Sequence, residues 1–213
     1  MKDECSTSQS KGVEMTGFRV ALVIASSMLL VTCTGSRPFE GYEELTPATV
    51  LEQPEPAASD RYPPELVAHG KYLVTLLRCG ACHTDGALIG EPNPQRLLAG
   101  SSVGIAYTSP LDNARPGVVY PANLTPDPKT GLGNWTEEQI MDMIRTGSDR
   151  HGGRALSVMP YPAYADLSIE DTRAIAAYLR SLPPVRHEVP YNVSEGQRAP
   201  APFVHFGVYR SRK

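Results

Sequence analysis

Five consecutive residues carry the densest chemistry in this chain: Cys79, Gly80, Ala81, Cys82 and His83. Two thiols three positions apart reach the two vinyl groups on one edge of a haem and form thioethers, while the next side chain turns its imidazole onto the iron. One short segment then fixes porphyrin, orientation and proximal ligand. Three other readings compete. A structural zinc site needs four ligands, and the remaining cysteines, Cys5 and Cys33, lie in or beside an apolar N-terminal segment. A thioredoxin-like redox pair needs strands and helices alternating around it, yet no strand-like run precedes Cys79. Chance produces a five-residue pattern, but not the elements that flank this one. The motif occurs once, so a single covalent haem c is expected.

Iron held by His83 has an opposite face, and the sixth ligand decides between electron transfer and reaction with small molecules. Of six methionines, Met1, Met15 and Met28 fall in the N-terminal region, and Met141 and Met143 fall inside a helical stretch. Met159 precedes Pro160, which disfavours helical backbone at residue 159, and it follows a glycine-containing loop with His151, Gly152 and Gly153. An extended segment there can bring Met159 to the iron; the competing role is a core filler. His151 is the next candidate to test. His69, His187 and His205 each read more simply as hydrogen-bonded or solvated histidines.

Helices must position these groups. Pro64 suits the first turn of a helix, and Leu66, Gly70, Leu73, Val74 and Leu77 recur at helical spacing, so one helix is expected to run straight into Cys79. Thr136 and Gln139 form a capping box ahead of Ile140, Met143 and Ile144, with Gly147 as the stop. Ser168 caps a last helix carrying Ile175, Tyr178, Leu179 and Leu182, which Pro183 and Pro184 end. Few aromatic residues, twenty prolines and eighteen glycines imply long loops and a modest core that gains from a large apolar cofactor. A net charge of -3 gives no broad basic surface, which excludes nucleic acid as a natural partner.

The flanks read differently. Val20 to Thr32 is an apolar run after Arg19, the profile of a signal peptide and short for a bilayer span. Met15 begins a cleaner signal than Met1, so the true start is expected at Met15. Leu30 to Cys33 resembles a bacterial lipoprotein cleavage site with Cys33 lipidated; an ordinary signal cut near Cys33 and an uncleaved anchor remain open. Residues 1–33 are thus the export signal, and 34–64, with six prolines and six acidic residues against two basic ones, read as a tether. Residues 65–190 are the haem domain, and 191–213 an extended tail that wraps the domain through Phe203, Val204, Phe206 and Tyr209 or docks a partner. Residues 86–117 suggest no chemistry.

Three stretches taken together resemble one known family: GKYLVTLLRCGACHTDG, YPANLTPDPKTGLGNWTEEQIMDMIRTG and LSVMPYPAYADLSIEDTRAIAAYLRSLPPV. They are similar to the cytochrome c domains of bacterial membrane-bound alcohol, aldehyde and gluconate dehydrogenases. The resemblance implies an all-α cytochrome c-like fold, with a few helices and long loops around one haem attached at Cys79 and Cys82. It implies His83 and Met159 as axial ligands, and Trp135 or Asn123 beside a haem propionate. The implied role is one-electron transfer on the periplasmic side of a bacterial membrane, from a dehydrogenase donor to a cytochrome or oxidase acceptor. The chain itself would not be an enzyme. The subunits it resembles commonly carry three haem motifs, where this chain has one. A haem enzyme or gas sensor with an open sixth position is the alternative.

Overall fold

Two helices crossing at very short range form the frame. The computed structural model describes residues 41–45, 52–57, 61–147 and 158–207, and all the statements below concern those residues. Helix α1 (Pro64–Leu76) buries Val67, Gly70, Leu73 and Val74. It packs against α5 (Ile169–Ser181), whose Ala174 to Leu179 are all buried. Gly70 permits the approach: a Cβ there would lie 1.9 Å from the Ala174 carbonyl oxygen and 2.8 Å from the Tyr178 Cβ. Both expected caps are present. Ser168 Oγ accepts from Asp171 N–H at 3.0 Å, and Thr136 with Gln139 closes a reciprocal capping box on α3 (Glu137–Thr146), which Gly147 ends in the left-handed conformation.

The helix before the motif does not run straight into it. Leu77 still bonds back to Leu73, but Arg78 takes φ 55°, and a separate turn, α2 (Cys79–His83), begins beyond it. A continuous helix would carry Cys79 onward around the α1 axis; the left-handed residue redirects the chain at the expense of local strain. A further short helix, α4 (Tyr161–Tyr164), stands between Met159 and α5.

The fold is helical with a small sheet, which corrects the all-α expectation. Strands β1 (Gly104–Ala106), β2 (Val118–Val119) and β3 (Phe203–His205) lie in the order β2-β1-β3. Ile105 faces Val119 in the antiparallel pair and Val204 in the parallel pair. The segment 86–117 therefore supplies a structural strand, and the tail wraps the domain, with Val204 buried between Leu88, Val103 and Ile105. Phe206 is 65% exposed and takes no part in that packing. Tyr209 lies outside the described residues, as do the signal, Cys33 and His151.

The stretch read as a tether touches the domain over 52–57. Tyr178 donates its hydroxyl hydrogen to Pro54 O at 2.6 Å, and Ala57 N–H donates to Ser181 O at 2.7 Å. A buried tyrosine needs an acceptor for its hydroxyl, and the proline-rich segment, poor in apolar periodicity, supplies one through its backbone.

Candidate functional site

His83 is the best-defined group of the site. Its ring is buried, and Nδ1 donates to Ala122 O at 2.7 Å, which fixes the tautomer. Burial pushes its pKa down against the pull of that hydrogen bond, so the ring stays neutral and Nε2 keeps its lone pair. Nε2 makes no hydrogen bond among the described residues. A histidine whose other nitrogen is locked to a carbonyl is oriented as a metal ligand is.

The loop that carries Ala122 is itself held. Asn123, 2% exposed, donates to Val185 O at 2.8 Å and Thr130 Oγ1 at 3.0 Å, and accepts from Thr125 N–H and Oγ1. Both amide hydrogens are spent, so Asn123 has none for a propionate; its position is that of a brace behind the imidazole. Asp127 accepts from Lys129 N–H, Thr130 N–H and Thr130 Oγ1. Leu98, in the left-handed region at φ 56° and fully buried, accepts from Leu124 N–H, and Gly100 N–H donates to the His83 carbonyl.

Cys79 and Cys82 form no disulfide. Burial raises the Cys79 thiol to about 11 and pushes Cys82 up as well. Both are thiols at neutral pH, the opposite of the lowered values that mark reactive redox pairs and thiolate ligands. Cys79 packs on the helical core, while Cys82 packs against the cluster of Leu88, Val103, Ile105 and Val204. No group of three His, Cys, Asp or Glu among the described residues converges as a metal site. Two half-buried, protonated thiols with apolar neighbours and one oriented neutral imidazole fit covalent attachment of a haem.

Met159 is half-buried, its carbonyl accepting from Tyr161 N–H at 2.8 Å, and the residue before it, Val158, packs against the same apolar cluster as Cys82. Trp135 is half-buried against the helical core, and its carbonyl accepts from Arg180 Nη1. The other histidines have different partners. His69 Nε2 lies 2.7 Å from Asp171 Oδ1 at the surface, and buried His187 bonds Ala99 O through Nδ1.

Several neighbours went unread in the sequence. Tyr164 is buried close enough to both thiols that burial, reinforced by Cys79 and Cys82, lifts its hydroxyl to about 12. Asp85 accepts from Arg96 at 2.6 Å and from Ser102 N–H at 2.8 Å, and His187 Nε2 accepts within the same group from Arg96 Nη1 at 3.2 Å. Alternation of polar and apolar residues gives no hint of such clusters. Only the position of Asp85, two residues after His83, places one of them near the site.

Known proteins match where the geometry is richest. The chain is 39% identical over 113 residues to the cytochrome c subunit of alcohol dehydrogenase (quinone) from Gluconobacter oxydans, covering 53% of this chain and 20% of that one. It is 35% identical over 127 residues to the fructose dehydrogenase cytochrome subunit of Gluconobacter japonicus, covering 60% and 23%. It is 34% identical over 121 residues to the gluconate 2-dehydrogenase cytochrome c subunit of Pantoea cypripedii, covering 57% and 24%. The chain thus spans a quarter or less of the length of these relatives. Residues 67–183, which run from α1 through the motif to the end of α5, match the cytochrome c family, and the chain belongs to that family.

Proposed function

We propose that this chain is an exported, single-haem electron carrier held at the periplasmic face of a bacterial membrane, passing one electron at a time from a dehydrogenase to a cytochrome or oxidase. The observation that carries the reading is His83: buried, neutral and locked through Nδ1 onto Ala122 O, directly after two unbridged thiols. A haem bound there supplies an iron that alternates between ferrous and ferric states. Cys79 and Cys82 hold its edge, and His83 presents Nε2. Leu88, Val103 and Ile105 keep water from the Cys82 side. Met159 is the side chain we assign to the sixth position, where a thioether favours ferrous iron and leaves no open site for chemistry. Trp135, whose indole makes no hydrogen bond among the described residues, is the remaining candidate for a propionate.

The relatives are cytochrome subunits of dehydrogenases, which supports a dehydrogenase as the donor. Protein made in a host with haem-attachment machinery should keep its haem through acid and organic extraction and weigh one haem more than the polypeptide. Loss of all haem on extraction overturns the reading. Anchoring rests on Leu30 to Cys33: lipid labelling should mark the protein, and Cys33→Ser should release it from membranes. An unmodified mature N-terminus downstream of Cys33 leaves a soluble carrier instead.

A further inference from the structure

Residues 52–57 belong by composition to the proline-rich stretch outside the domain, yet they are fastened to α1 and α5 beside its most chemically significant turn. Pro54 O receives the Tyr178 hydroxyl, Ala57 N–H reaches Ser181 O, and Glu55 pairs with Lys71 at 2.5 Å. Immediately before these fixings, the Gln53 carboxamide lies over Gly80, inside the C-x-x-C-H turn. A Cβ on Gly80 would stand 3.1 Å from Gln53 Nε2 and 3.5 Å from Oε1. Gln53 Oε1 is buried and has no hydrogen-bond donor. Buried acceptors without a donor are rare because they are unfavourable, and among the described residues this oxygen meets the turn through packing alone. Tyr178 joins the two structures: its hydroxyl holds the segment, and it lies within electrostatic reach of Cys79.

We propose that residues 52–57 form a clamp over the haem-attachment turn, in which Gln53 is a positioning residue that shields the Cys79 edge of the haem from water. The proposal rests on the haem reading above. Low polarity around a haem disfavours the more highly charged ferric state, so the clamp raises the reduction potential. It also commits one haem edge to the chain's own N-terminal segment. Partners must then approach elsewhere.

The test uses the full-length holoprotein with its haem content established first. Gln53→Glu places a carboxylate over the turn and should lower the potential by up to tenfold in the ferric-to-ferrous equilibrium, about 59 mV for one electron. That shift should vanish as the pH falls and the new carboxylate protonates. Gln53→Ala should lower the potential by less, and Glu52→Gln, a one-charge change at the exposed neighbour, should barely move it. Equal and small shifts for Gln53→Glu and Glu52→Gln overturn the clamp. Amide exchange gives an independent reading, because Ala57 N–H should be protected in the wild type and lose at least about fivefold of that protection in Tyr178→Phe. Exchange of Ala57 at the rate of an unstructured chain overturns the clamp equally. Protein that loses its haem on extraction overturns the haem reading, and the clamp falls with it; protein that keeps its haem but shows neither effect overturns the clamp alone.

Discussion

The two sides of the site are built in different ways. Behind His83, a backbone carbonyl takes the Nδ1 hydrogen, and its loop is tied by Asn123, Thr125, Thr130 and Asp127 to one another and to Val185. On the Met159 side, among the described residues, Tyr161 N–H donates to the Met159 carbonyl, and the side chain is half-buried. The difference separates two tasks. A ligand fixed through a dense buried network resists displacement, and perturbing it costs fold stability. With Met159 at the sixth position as proposed, its exchange should cost the fold little and change the electronic state of the iron greatly.

The largest effect is expected behind His83. Asn123→Ala removes two donors and one acceptor, leaving Thr125 N–H without its partner and taking one bond each from Thr125 Oγ1, Thr130 Oγ1 and Val185 O, which should cost about 2–4 kcal/mol of unfolding free energy. Urea unfolding of the holoprotein measures it. A loss below about 0.5 kcal/mol would mean the network is not what holds the proximal side, and the contrast between the two sides would fail.

Met159→Ala reverses the pattern. The fold should lose only about 1–2 kcal/mol, in proportion to a half-buried side chain. The ferric-to-ferrous equilibrium should move by more than tenfold toward ferric, beyond about 59 mV. The weak near-infrared-edge band of a sulfur ligand should vanish, and ferrous protein should gain carbon monoxide binding. His151→Ala should leave all three unchanged. Wild-type protein that binds carbon monoxide readily, with no further change in Met159→Ala, has an open sixth position, and the enzyme or sensor reading then replaces the carrier.

Legibility in the sequence follows the same division between local and distant interactions. The caps at Thr136 and Ser168, the stop at Gly147 and the buried stripe on α5 depend on residues three or four apart, and each lies where its pattern places it. The break at Arg78 is not legible, because nothing in an arginine marks the left-handed conformation that it takes here. The sheet was hidden for another reason. Its strands are two or three residues long, too short for an alternating pattern, and β3 arrives beside β1 from the far end of the chain. At the site, Cys79, Cys82 and His83 announce themselves by spacing. Ala122 acts through a carbonyl that every residue possesses, and Asn123, the neighbour that suggested a propionate contact, turns its amide inward.

The smallest effect is a pH dependence that sharpens the comparison. Hydrogen bonds from Thr130 N–H, Thr130 Oγ1 and Lys129 N–H hold the Asp127 carboxyl below its ordinary value. A carboxyl whose folded pKa is depressed stabilises the fold above its unfolded pKa, about 3.9, and that contribution is lost as the pH falls through the lower folded value. Thr130 also serves Asn123 and receives the His187 N–H, so protonation of Asp127 loosens the network behind His83. The urea midpoint of the wild type should therefore fall on acidification below about pH 4. Asp127→Asn should start lower at neutral pH, follow a flatter course and meet the wild type in acid. Over that interval, with Met159 at the sixth position as proposed, the sulfur band should persist until the fold itself is lost. Disappearance of the band while the protein is still folded would place the acid-sensitive contact on the Met159 side instead.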